Sequence, residues 1–393
     1  MISVENFYWA IHENLLKPLN FVEYVFYPFG STSLDDLNIN EFVENNNKHI
    51  RPYVWTMPFN RSLFFDQEPM GRNTISVIDE ILLGGQKNMT LLANSEISSI
   101  KAVILKKYKV FDWYYFYHGF AALDWFRDAK YMRHFEYPIR NNFLSLNGIV
   151  TGDRRYRMIL TAHLADRELL DKGSVSFHSK PGVCAQELEE SAMYFSAAEK
   201  QLVNRQLPLL DRSLYVDTCD HNPGNSAAFG HFEMKMFQQS FLHVVNETVF
   251  YHKKLHLTEK IFKPIVSKRP FILVAAPGNL AYLKRYGFRT FDKWINEDYD
   301  NEMDHSRRLI MIADEIEKIS KLSLTELNCM HQEMQEILDY NFDHFFGNFK
   351  SKIVDELVDN FHSCLLQWNN CRTDDRSLRT DLDWTAIKSL LKT

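Results

Sequence analysis

Short apolar runs, each followed by a segment of helical periodicity, recur along most of this chain. That alternation is what parallel sheets covered by helices require, because strands buried on both faces read as continuous apolar stretches. In the first third, residues 62–65, 89–92 and 113–117 read as strands, and 75–83, 97–107 and 121–127 as helices. A second series predicts strands at 143–146, 175–177, 241–245 and 271–274. Its helices are expected at 154–170 and 185–206 and from Thr258 onward. Residues 302–338 and the C-terminal tail read as mostly helical. No internal repeat interrupts the pattern. The expected fold is α/β, with two Rossmann-like domains over 1–140 and 141–350 and closing helices over 351–393.

A chain of 393 residues can support two cores of ordinary size. Its 30 Phe and 18 Tyr supply enough large apolar surface to argue against disorder. The formal net charge of -6 gives no general attraction to a polyanion, although one face can still be basic. Five cysteines (Cys184, Cys219, Cys329, Cys364 and Cys371) stand at irregular spacings without a CxxC pair. A disulfide framework or zinc cluster is therefore not expected, and a reducing compartment is. The first residues lack the basic start and apolar core of a secretion signal, and no run approaches a membrane span. A cytoplasmic location, of a bacterial or viral kind, is the expectation.

The chemistry concentrates between Val245 and Gly287, a strand, loop, helix, strand, helix unit. Thr258 occupies an N-cap position, where its hydroxyl can accept a first-turn N–H, worth about 1 kcal/mol. Leu257 and Phe262 fill the two places of a hydrophobic staple. Glu259 suits the positive end of a helix dipole and Lys260 opposes it. A diphosphate at that helix start would offset the lysine, whereas a lone lysine there is commonly just solvated. Pro264 removes a backbone donor shortly afterwards.

The runs Asn246-Glu247-Thr248, Leu257-Thr258-Glu259-Lys260-Ile261 and Arg269-Pro270-Phe271-Ile272 resemble the donor-binding region of family 10 glycosyltransferases, the α-1,3-fucosyltransferase group. His256 stands where that pattern has an aromatic residue, and the order of Asn246 and Glu247 is reversed. The resemblance implies the GT-B fold, two Rossmann-like domains facing a cleft, and a nucleoside-diphosphate sugar as co-substrate. It places Glu259 on the sugar or ribose and Lys260 on the diphosphate. A second run, Asn147-Gly148 followed by Arg154-Arg155-Tyr156-Arg157, is similar to the family's strand, Asn and Arg-bearing helix start. There Arg157, with Arg155 as the alternative, would grip the diphosphate, for which a planar guanidinium fork is suited.

A transferase also needs a base for the acceptor hydroxyl. Candidates are Glu68, in Asp66-Gln67-Glu68-Pro69 at a strand end, then Asp124, His118 and Glu96. Asp217-Thr218-Cys219-Asp220-His221 has the look of a metal site without the spacing of one, so no metal is expected. Lys106, Lys107 and Lys109, and the run His252-Lys253-Lys254, are short basic patches that hint at an anionic acceptor. The expected activity is transfer of a sugar from a nucleotide donor, with inversion, to a glycan or to a hydroxymethylated base in DNA. The alternative is a non-catalytic module that binds nucleotide-sugar.

Overall fold

A computed structural model describes residues 111–134, 136–216, 234–251, 254–371 and 382–392, together with short strands at 24–26, 29–30, 57–58, 91–94 and 97–98. The strand expected at 62–65, the helix at 75–83, Glu68, Glu96, and the run 217–221 lie outside the described residues. The chain divides into two compact units, Met1–Asp124 with Asn348–Thr393, and Trp125–Gly347.

In the first unit, β1 (Tyr24–Phe26), β4 (Leu91–Asn94) and β6 (Phe111–Tyr114) form a parallel sheet in the order β1-β4-β6. The two-residue strands β2 (Phe29–Gly30) and β3 (Met57–Pro58) pair in parallel. Helix α1 (Tyr117–Trp125) follows β6. A short strand, β5 (Ile97–Ser98), stands where the helix over 97–107 was expected to begin. Residues 99–107 of that expected helix lie outside the described residues.

The second unit is built on a four-stranded parallel sheet. Its strands are β7 (Asn141–Ser145), β8 (Gly173–Val175), β9 (Ser240–Asn246) and β11 (Phe271–Val274), in the order β11-β9-β7-β8. A two-residue strand, β10 (Lys254–Leu255), precedes Thr258. Every residue of β9 and β11 is buried, as strands covered on both faces should be. Phe143, Phe241 and Ile272 are fully enclosed, each contributing about 1.5–3 kcal/mol through burial. Gly173 opens β8 because a Cβ there would lie 2.5 Å from the Phe143 ring. His243, inside β9, meets the Phe237 carbonyl at 2.7 Å, and burial pushes its pKa down to about 3, so it is a neutral core residue.

Helix α2 (Tyr156–Asp166) buries Tyr156 to Ala162 and Leu164 on nearly its whole circumference. It packs against α4 (Ala197–Leu210) and α8 (His305–Ser320). The predicted helix over 154–170 is shorter because Glu168 turns left-handed (φ 58°). The single helix expected at 185–206 is two, α3 (Val183–Glu190) and α4. Ser196 starts α4 with a capping box, accepting from the Glu199 N–H while the Glu199 carboxylate accepts from Ser196. Helix α5 (Met234–Gln239) leads into β9. Beyond it, α6 (Phe262–Ser267) packs on α9 (Leu324–Phe346), and α7 (Asn279–Arg285) follows β11. Pro264 sits in the first turn of α6, where its missing N–H is not needed. The C-terminal helices α10 (Phe349–Cys371) and α11 (Trp384–Lys392) pack together, with His362 stacked on Trp384 at 4.4 Å. The class is thus mixed α/β with a helical C-terminus. No helix among the described residues is long and apolar enough to cross a membrane.

Candidate functional site

The strand order identifies one place in the second unit as special. The chain runs from β7 outward to β8, then returns to lay β9 on the opposite side of β7. Connections leaving neighbouring strands in opposite directions open a crevice at their carboxyl ends, where open α/β sheets bind ligands. Here that edge carries Ser145, the last residue of β7, and Asn147 just beyond it, with Asn246, the last residue of β9, and Glu247 following it. Asn147 and Asn246 each donate Nδ2 to the Ser145 hydroxyl, at 3.3 and 3.0 Å. Asn147 also donates Nδ2 to the Ser176 carbonyl at 3.0 Å. The Oδ1 atoms of both asparagines are buried without a hydrogen-bond partner. Gly148 and Gly152, in the loop toward α2, face open space.

Glu247 anchors the β9 side. It is 0% exposed, and its carboxylate accepts from the Thr258 N–H at 3.1 Å and the Thr258 hydroxyl at 2.5 Å. Burial raises its pKa, with Lys260 and Thr258 opposing. Thr258 caps a 3-10 turn, Glu259–Ile261, rather than entering an α-helix directly. The Lys260 ammonium donates to the Thr258 hydroxyl and to Glu259 Oε1, both at 3.1 Å. Burial alone would raise the Glu259 carboxyl, but Lys260 and Lys263 outweigh it and hold it below the usual range. The Glu259 side chain is 4% exposed and that of Lys260 29%, so the lysine is the partner that faces outward.

The three arginines of the 154–157 run have different fates. Arg157 is buried and donates to the carbonyls of Ile149 (2.9 Å), Asn246 (2.9 Å) and Glu247 (3.2 Å) and to the Tyr156 hydroxyl (3.2 Å). Its fork is committed to closing the strand end, where the Tyr156 hydroxyl also donates to the Glu247 carbonyl. Arg155 is buried as well, paired to Glu187 at 3.3 Å with its guanidinium over Tyr194 at 4.3 Å. Arg154, which the sequence did not single out, is half-buried, and its Nε is enclosed with no hydrogen-bond partner. Burial and the Arg157 charge lower its pKa to about 10, while Glu259 pulls the other way, which puts Arg154 within electrostatic reach of the Thr258–Lys260 segment. Which of the three arginines in this run turns outward depends on where the turn before α2 begins, and residue type does not reveal that.

The remaining candidates fall elsewhere. His256 is buried beside this segment, its N–H donating to Asn279 Oδ1 at 2.7 Å. The N-terminus of α7 already holds a carboxylate: Asp300 accepts from the Leu280 and Ala281 N–H groups at 2.9 and 3.0 Å. His118 and Asp124 belong to the first unit, on α1. His118 is only 1% exposed, whereas Asp124 is half-buried. A cavity of about 600 Å³ lined by Lys284, Trp294, Glu297 and Lys318 shares no residue with the Glu247 cluster. Two of its lysines are paired to carboxylates, Lys284 with Glu297 and Lys318 with Glu315. Compared with models of known protein families, with curated proteins and with solved structures, the chain matches none.

Proposed function

We propose that this chain is a glycosyltransferase that takes a nucleoside-diphosphate sugar at the carboxyl edge of β7 and β9. The observation that carries the reading is Arg154, a half-buried guanidinium with an unpartnered Nε that feels the charge of Glu259, the carboxylate paired with the outward-facing Lys260. Burying a donor of this kind without an acceptor costs about 1–3 kcal/mol, and a diphosphate would remove that penalty. The same two cations would stabilise the charge that develops on a departing nucleoside diphosphate. Glu259 then serves to aim Lys260, and Arg157 holds the strand end that presents both. The GT-B organisation, inversion, and an acceptor that is a glycan or a hydroxymethylated DNA base belong to the same proposal. The proton of the acceptor hydroxyl is assigned to Glu68 or Asp124, since His118 is sealed from solvent.

Incubation with a panel of nucleotide-sugars and acceptors, with nucleotide release as readout, tests the reading. Release that depends on acceptor and disappears in Arg154→Ala is the expected result. Calorimetric binding of a nucleoside diphosphate without release from any donor would replace the enzyme by a binding module. Absence of both would end the proposal.

A further inference from the structure

One feature at the same sheet edge has no role in the diphosphate contacts. Beyond the end of β8, residues 177 and 214 form an antiparallel bridge, each donating its N–H to the other's carbonyl at 2.9 Å. The neighbouring His178 N–H donates to the Asn147 carbonyl at 3.1 Å, and the Ser213 hydroxyl donates to the Ser179 carbonyl at 2.5 Å. These bonds clamp two backbone segments side by side. They hold the Tyr215 ring against the His178 ring, with centroids 5.2 Å apart and planes at 44°. Yet Tyr215 is 70% exposed. Exposure alone does not set this ring apart, since Tyr131 is 82% exposed; its distinction is that the backbone clamp keeps it beside His178 at the sheet edge.

Position gives the ring a purpose. In dinucleotide-binding sheets the phosphates lie at the helix start after the first strand, and the ribose is held about 20 residues further on, beyond the adjacent strand. Here β7 is followed by the Arg154 turn, β8 is its neighbour, and His178 is bonded to Asn147 at the crevice itself. We infer that Tyr215, backed by His178, is the platform on which the base of the nucleotide stacks. This rests on the nucleoside-diphosphate reading above and adds the part of the ligand that reading leaves unassigned. Stacking is tolerant of base identity because every base has a π face, so the platform contributes affinity, and edge contacts would decide between bases.

The test separates the two claims. Guanosine, adenosine, uridine and cytidine diphosphates and inorganic pyrophosphate are titrated calorimetrically into the wild-type chain, Tyr215→Ala, Tyr215→Phe and Arg154→Ala. Tyr215→Ala should weaken the tightest nucleoside diphosphate by roughly 5- to 150-fold and leave pyrophosphate unchanged, with Tyr215→Phe close to wild type. Arg154→Ala should weaken nucleoside diphosphates and pyrophosphate alike. An unaltered nucleoside-diphosphate affinity in Tyr215→Ala, with Arg154→Ala impaired, would overturn the platform and leave the diphosphate site standing. Equal losses for pyrophosphate and nucleoside diphosphates in Tyr215→Ala would overturn it too. If the wild-type chain binds none of the diphosphates, both claims fall. Since Tyr215 is mostly exposed, its removal should not disturb thermal unfolding, which is recorded alongside.

Discussion

Replacing Arg154 with methionine keeps most of the side-chain volume and removes the charge. The guanidinium is half-buried, beside Arg157, and its pKa falls to about 10. At 1.36 kcal/mol per tenfold change in proton affinity, the charged form is disfavoured by roughly 3 kcal/mol relative to the unfolded chain. Solvent reaches part of the side chain, and screening reduces the figure to roughly 1–2 kcal/mol. Because the pKa is depressed, the penalty is complete below about pH 10, where the folded and unfolded chains are both protonated. Arg154→Met should therefore be as stable as wild type or more stable by about 1–2 kcal/mol, measured by urea unfolding at pH 7. The same variant should bind nucleoside diphosphates about 1.5–3 kcal/mol more weakly, the range for hydrogen bonds to charged groups. Gain in stability with loss of affinity is the signature of a residue kept for a ligand. A variant that loses more than about 1 kcal/mol of stability and binds nucleotide normally would refute the reasoning, showing that Arg154 is structural.

Arg157→Met should behave in the opposite sense, losing roughly 3–5 kcal/mol in denaturant unfolding, because the Ile149 and Asn246 carbonyls lose its donation and the Glu247 carbonyl is left with the Tyr156 hydroxyl alone. A loss under about 1 kcal/mol would show that those bonds are replaced by water. Lys260→Ala should reduce nucleoside-diphosphate affinity by roughly 1.5–3 kcal/mol in calorimetry, and an unchanged affinity in the folded variant would exclude its phosphate role. Burial, mainly, depresses His243 to about 3 and His331 to about 4, and lowers His163 as well. Depressed histidines bind fewer protons in the folded chain, so the stability they permit is complete above pH 6.5 and lost as pH falls toward their folded values. His243 and His331 should each remove about 1.4 kcal/mol per pH unit in that window, and His331→Gln should flatten the slope measured by urea unfolding between pH 6.5 and 5.

Local physics made much of the second unit legible in the sequence. Phe271–Val274 is a strand as the apolar run predicts, and Ser240–Asn246 extends the predicted 241–245 by one residue at each end. Thr258 caps its turn because a hydroxyl at that position has an N–H to accept. The Ser196 and Glu199 spacing that splits the expected 185–206 helix was also present as a local signal. Strand order was not. It depends on pairings such as Asn141 with Ser240, joined across a long stretch of chain, and no periodicity encodes which strands become neighbours. That order creates the crevice, and the exact start of α2 decides that Arg157 turns to backbone carbonyls while Arg154 is left half-buried with an unpartnered Nε. The sequence by itself determined that a capped turn carrying a lysine precedes one strand and that a run of arginines opens a helix after another. Only the tertiary structure decided which guanidinium is spent on the fold, because burial and hydrogen-bond partners are properties of packing and not of residue type.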